Sequence, residues 1–278
     1  MRFIRSENSS ANAPSLRDRL LACWWRRGWR GFCTLQRLFP SREFGAELRY
    51  TTSFGSSFRL RPQSYIDGTV LREGFYESEV LAALATAANA SEVVWDIGAN
   101  FGIHATTLAR CRPDLRIVAF EPNPVEHGRL LLHREWNAPQ LITSAVALSD
   151  TSGVVKLHLG PEGNSGITTL TPWSQGNYTG EVLVAAITGD EMIATCQVPA
   201  PNIIKLDVEG HEGAVLRGLR RTLSGAACRV VVFEDGPERD TEPKLLLRAS
   251  GFEIKPLLRN EHTAHALSNF VARKTHRA

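Results

Sequence analysis

The segment Val93-Val94-Trp95-Asp96-Ile97-Gly98-Ala99-Asn100-Phe101-Gly102 limits what this chain can fold into more than any other. Its apolar opening is the short run of a strand buried on both faces. Such strands occur where helices cover a mostly parallel sheet. Gly98 and Gly102 let the backbone turn sharply and let a ligand approach with no Cβ in the way. A helix is expected from Ile103. One strand-helix-strand step later, residues 116–120 form a second apolar run that ends in Glu121, 25 residues after Asp96. A carboxylate there can accept both hydroxyls of an adenosine ribose. Asp96, at the end of its own strand, can organise the glycine loop and reach a ligand's ammonium through water.

The rest of the chain extends this pattern. A short β region is expected over 48–52 and 57–60, turning at Gly55, then a loop over 62–74 and a helix over 77–88. Beyond the glycine loop the reading is a helix from Pro124, a strand over 141–147 and β segments over 154–159 and 182–187. Then come a strand over 203–208, a helix over 211–223, a strand over 229–233 and a helix over 242–250. Two closing strands, 252–258 and 268–273, read as antiparallel. Short apolar strands separated by helices make an α/β, doubly wound sheet. A closing hairpin on such a sheet is typical of its methyltransferase variant.

Composition removes several classes of function. With 278 residues, 43% of them apolar and 22% charged, the chain reads as an ordinary globular protein. The net charge of +3 is concentrated at the start, where eight arginines within residues 1–40 face only Glu7 and Asp18. The body is therefore not a nucleic-acid-coating surface. Cys23, Cys33, Cys111, Cys196 and Cys228 are scattered, odd in number and free of any CxxC pair. That excludes a disulfide framework or a zinc site and fits a reducing compartment. No signal peptide and no apolar run long enough for a membrane span are visible, so the expected location is cytoplasmic.

The chain resembles FkbM-type methyltransferases, S-adenosylmethionine-dependent enzymes that mostly methylate hydroxyl oxygens. The likeness is carried from about Tyr65 to Lys274. It includes Tyr65-Ile66-Asp67, Gly74-Phe75-Tyr76-Glu77, the Asp96–Gly102 loop, Phe120-Glu121-Pro122-Asn123 and Ala147-Leu148-Ser149-Asp150. Its most specific block is Ile204-Lys205-Leu206-Asp207-Val208-Glu209-Gly210. His211 departs from it, since the family usually has a small residue there. The resemblance implies a class I, Rossmann-like fold with a mostly parallel seven-stranded sheet. It implies that Asp96, Gly98, Asn100, Gly102, Glu121 and Asn123 line the cofactor and that Ala147 and Leu148 flank its adenine. Tyr76, Glu77, Pro122 and Asp207 complete the expected cofactor surroundings.

Methyl transfer needs an in-line approach of nucleophile to the methyl group, and a hydroxyl nucleophile gains from a base. Ligands in such sheets bind beyond the carboxyl ends of the strands. Asp207 and Glu209 stand at one such end, and alternation puts Lys205, Asp207 and Glu209 on one side while the strand stays extended. Three charged groups on a buried strand demand partners or a polar cavity. His211 is a further candidate base, against a solvent-facing helix start. Glu234 points toward the expected cleft, against a salt bridge to Lys205 or an arginine. Asp207, Glu209, His211 and Glu234 could together hold Mg²⁺ or Mn²⁺, but no compact ligand motif supports this and no metal is expected. Lys205, Ser165 and Trp173 are the expected acceptor contacts, the last two in the polar, glycine-rich stretch 160–180.

The expected reaction is O-methylation of a small molecule, either a natural product such as a polyketide or a sugar or glycan. The rivals are a nicotinamide-dependent oxidoreductase, disfavoured because the loop lacks GxGxxG spacing, and a non-catalytic module of the same fold. The domain is expected over 46–278, behind a helical, Arg- and Trp-rich extension over 1–45. Its stretch 15–39 suits packing on the domain, a homo-oligomer contact, a peripheral membrane surface or a carrier partner. Nucleic acid is not an expected partner.

Overall fold

The computed structural model describes residues 47–161, 163–174, 176–257 and 268–275, with Leu16, Arg19 and Cys23 besides. The expected N-terminal helix and the end of the strand over 252–258 lie outside the described residues. The central sheet is built from seven strands. They are β3 (Val93–Ile97), β4 (Arg116–Phe120), β5 (Ile142–Ser144), β9 (Ile203–Leu206), β10 (Val230–Asp235), β11 (Phe252–Pro256) and β12 (Ser268–Lys274). Their order across the sheet is β11-β12-β10-β9-β3-β4-β5. β12 runs antiparallel to both β10 and β11, and the other pairings are parallel. This is the doubly wound sheet with a closing antiparallel hairpin that the sequence leads one to expect.

Every residue of β3 is buried, as a central strand covered on both faces requires. Trp95 sits at its middle, fully buried, and its indole N–H donates to the Pro199 carbonyl at 2.9 Å. One core layer joins the sheet to α2 (Ser78–Ala87), α3 (Ile103–Cys111) and α4 (Pro124–Asn137). The opposite layer joins it to α5 (Gly189–Cys196), α6 (Glu212–Gly218), α7 (Arg220–Ser224) and α8 (Glu242–Ala249). The hairpin of β1 (Leu48–Thr51) and β2 (Ser57–Leu60) docks on α4 through polar bonds. The His133 ring lies 2.8 Å from the Phe101 carbonyl and accepts the Arg59 N–H at 3.0 Å. Burial first holds His133 down at about 3, so the ring is neutral and can do both.

Five details differ from the sequence reading, and one is α5, a helix that it did not expect. Residues 62–74 are not a loop: Tyr65–Glu73 form α1, ended by Gly74 at φ 92°. Gly68 and the flanking Pro62 and Gly74 read as turn signals, but burial of Ile66, Val70 and Leu71 overrides them. The expected strand over 141–147 is divided between two sheets. β5 pairs with β4, whereas β6 (Ala147–Ser149) joins β8 (Gly180–Thr188) and β7 (Gly153–Leu159) in a separate three-stranded sheet. The strand over 203–208 stops at Leu206, because Glu209 and Gly210 adopt left-handed φ of 56° and 91°. The helix over 211–223 breaks at buried Leu219.

Helix α6 approaches the second sheet so closely that a Cβ on Gly218 would lie 1.9 Å from the Ser149 carbonyl oxygen. Gly218→Ala is therefore expected to destabilise the fold by about 2 kcal/mol, read as a lower urea midpoint with unchanged slope.

Candidate active site

The carboxyl ends of β3, β4, β9 and β10 converge on a cavity of about 450 Å³, and a smaller apolar slot opens beside it. Gly98 belongs to both. Its φ is 79°, and a Cβ there would stand 1.7 Å from the Asp207 carbonyl oxygen. The glycine thus lets the ends of β3 and β9 touch. Asn100 is also left-handed, at φ 51°, which asparagine tolerates better than most residues. Its backbone N–H donates to Glu121 Oε2 at 2.7 Å, and the Asn123 N–H donates to Glu121 Oε1 at 2.8 Å. Burial pushes the Glu121 carboxyl up to about 7 despite these two bonds. The result is a rigid, buried acceptor facing the cavity.

The other sequence-derived residues fall into three places. Tyr76, Gly98, Asn100, Glu121, Lys205, Asp207, Glu209 and Glu234 line the cavity. Pro122, Ala147, Leu148 and His211 line the slot with Gly98. Asp96, Gly102, Asn123 and Glu77 support these walls. Asn123 caps α4 by accepting the Val125 N–H at 3.0 Å. Gly102 starts α3 where a Cβ would meet Leu130 at 2.3 Å. Glu77 accepts a bond from Asn269 at 3.1 Å.

Lys205 is buried with its ammonium 3.2 Å from Asp96 Oδ1 and 3.2 Å from Asp207 Oδ2. Burial alone would lower its pKa, but Asp96 and Asp207 outweigh that and raise it, so the cation persists. Beyond it, carboxylate oxygens of Asp207, Glu209 and Glu234 lie within 4.8 Å of one another. Burial, then Asp207 and Glu234, pushes Glu209 up to about 9. Burial and the nearby Glu77, Asp207 and Glu234 likewise keep the Tyr76 phenol protonated.

His211 is apart from this cluster. One ring nitrogen is 2.9 Å from Ser149 Oγ and the other 2.9 Å from Thr171 Oγ1. Burial lowers its pKa. Ser165 lies 3.4 Å from the Asn100 amide, and its neighbours Asn164, Gly166 and Ile167 line the cavity. Trp173 stands outside the cavity lining, against Gly210. The sequence reading did not name Tyr65 or His104 as site residues, and both also line the cavity. His104 is buried and held down at about 4, first by burial and then by Lys205. Its position in the first turn after the glycine loop is the one sequence signal that could have marked it.

A family profile described as the methyltransferase FkbM domain matches residues 96–263. The chain belongs to the FkbM methyltransferases. It is 31% identical over 208 residues to the hexuronic acid methyltransferase AglP of Haloferax volcanii, covering 74% of this chain and 83% of that protein. It is 26% identical over 173 residues to the 2-O-methyltransferase NoeI of Sinorhizobium fredii, covering 56% of this chain and 68% of the relative. Among solved structures it is similar to a precorrin-6y C5,15-methyltransferase from Geobacter metallireducens. That likeness has a TM-score of 0.46 and 14% identity, and covers 72% of this chain and 88% of the other.

The cofactor of this FkbM methyltransferase is S-adenosylmethionine, and the residues present fit it. Glu121 offers a buried carboxylate for ribose hydroxyls, and the slot offers apolar walls for a flat base. Glu121→Ala is expected to weaken binding of S-adenosylhomocysteine at least ~10-fold in titration calorimetry, since charge-assisted bonds are lost. The pH dependence follows from the raised carboxyl. Without ligand, Glu121 contributes stability below the ordinary carboxylate range and loses it as pH rises toward about 7. Ribose hydroxyls donate to the ionised form, so affinity should rise with pH up to about 7 and then level off. A flat profile below pH 7 would contradict this role.

Proposed function

We propose that this FkbM methyltransferase transfers the methyl group of S-adenosylmethionine to a hydroxyl oxygen of a sugar or glycan. The observation that carries the reading is the cluster of Asp207, Glu209 and Glu234, whose carboxylate oxygens lie within 4.8 Å of one another beside Glu121 in one cavity. Hydroxyl-rich acceptors are recognised by such convergent acceptor groups. The relatives named for a hexuronic acid and for 2-O-methylation favour a sugar over a polyketide. When bound, the cofactor supplies an electrophilic methyl group on a sulfonium.

The chain's own residues supply position and proton transfer. Lys205 fixes Asp207, which orients the acceptor hydroxyl. Glu234 holds the neighbouring face of the acceptor. Glu209 receives the hydroxyl proton, because burial first and then Asp207 and Glu234 raise its pKa and with it the proton affinity of its carboxylate. His211 we assign to pinning the loop over 160–179 rather than to proton transfer, since both ring nitrogens are engaged. Ser165 and Trp173 contact the acceptor from that loop. The division into an extension over 1–45 and a catalytic domain over 46–278 is kept. Among the described residues no helix is long and apolar enough to cross a membrane. A cytoplasmic setting is supported by the free, exposed thiols of Cys111 and Cys196.

Glu209→Gln should lower kcat/KM by about 100-fold. The wild-type kcat/KM should rise with pH toward about 9, and that limb should vanish in the variant. If the limb survives in Glu209→Gln, another group is the base. EDTA should leave the rate unchanged, because the three acids act on the acceptor. A loss restored by Mg²⁺ would instead assign them to a cation.

A further inference from the structure

We infer that the mouth of the cavity carries a second carbohydrate subsite, formed by Tyr65 and Trp173, which binds the sugar ring next to the one methylated. The inference rests on the glycan reading above and adds to it that the acceptor is at least a disaccharide. Its first support is size. The cavity of about 450 Å³ must take the cofactor's ribose and methionine end besides the sugar ring that is methylated. Any further ring of the acceptor must lie across the mouth.

The second support is what stands there. Tyr65 and Trp173 are each 41% exposed, although both are large aromatic side chains. Tyr65 begins α1 and lines the cavity. Trp173 lies against Gly210, where a Cβ would come 3.1 Å from the indole Nε1, and Gly210 follows the cavity acid Glu209. Aromatic faces cover the apolar face of a sugar ring while leaving its hydroxyls wet, and they do so at small entropic cost.

The third support is that the backbone carrying each ring is held before any ligand arrives. The Tyr65 backbone N–H donates to the Gly163 carbonyl at 2.7 Å, which ties α1 to the loop. The Trp173 backbone N–H donates to the Tyr178 hydroxyl at 3.0 Å. The Thr169 hydroxyl donates to the Glu209 carbonyl at 2.7 Å, which fixes the same loop to the floor of the cavity. Two exposed aromatics, one lining the cavity and the other against Gly210 beside the cavity acid Glu209, offer such a surface.

The test uses the full chain loaded with S-adenosylhomocysteine on an array of defined sugars. Each terminal sugar is printed both as a simple glycoside and as the end of a disaccharide. For at least one terminal sugar the disaccharide should be retained about threefold to tenfold more tightly, the scale of one aromatic contact. Tyr65→Ala and Trp173→Ala should each reduce that gain, and Trp173→Phe should keep most of it. Melting temperatures of the same samples separate loss of contact from loss of fold. Equal retention of the two forms, no retention of any sugar, or a gain that survives both alanine variants overturns the subsite. Calorimetry with S-adenosylhomocysteine on the same protein tells the two readings apart. Binding without a disaccharide gain removes only the subsite, whereas no binding removes the reaction beneath it and the subsite with it.

Discussion

The buried ammonium of Lys205, held between Asp96 and Asp207, is the interaction on which the rest of the site depends. A charge taken out of water must be compensated, and here both partners stand at the ends of adjacent central strands. The pairing fixes β3 against β9 at the point where Gly98 already brings their backbones into contact. Asp207 also lines the cavity. Glu209 and Glu234 crowd the same space with only this one cation beside them among the described lining residues. Burial first, and then the neighbouring Asp207 and Glu234, raise the Glu209 pKa.

A second constraint comes from the chain crossing between sheets. After Ser144 the backbone leaves the central sheet and enters the smaller one at Ala147. That step puts Ala147 and Leu148 on the wall of the apolar slot. The smaller sheet in turn supports the loop over 160–179, which reaches the slot through Thr169 and Leu170 and the cavity through Asn164, Gly166 and Ile167. His211 ties this loop to Ser149. One loop therefore reaches both the apolar slot and the larger cavity.

The parts legible in the sequence were those set by local chemistry. Buried strands announce themselves by apolar β-branched runs, and Gly98 and Glu121 follow two such runs at fixed spacing. The need of Lys205 for partners was equally legible, because a lysine in a buried strand has few alternatives. What escaped the sequence depends on distant neighbours. Helix α1 forms over a glycine-containing stretch because Asp67 meets Arg129, 62 residues away, at 2.5 Å and because Ile66, Val70 and Leu71 are buried. Glu209 was placed by strand alternation, yet it reaches the cavity through a left-handed turn that no period describes. His104 and Tyr65 join the site only because two helices face the same hollow. Nor does the sequence show that both ring nitrogens of His211 are bonded, to Ser149 and Thr171.

The central claim is methyl transfer to a sugar hydroxyl, and the most direct measurement follows the label. The protein would be incubated with S-adenosyl-[methyl-³H]methionine and a set of neutral and uronic acid oligosaccharides, and the labelled products treated with mild alkali. The account predicts a labelled oligosaccharide whose methyl group survives, because an ether formed at a hydroxyl resists mild base. A label released as methanol would mark an ester on a carboxylate, and no labelled sugar at all would mean a different acceptor. Either result would contradict the account.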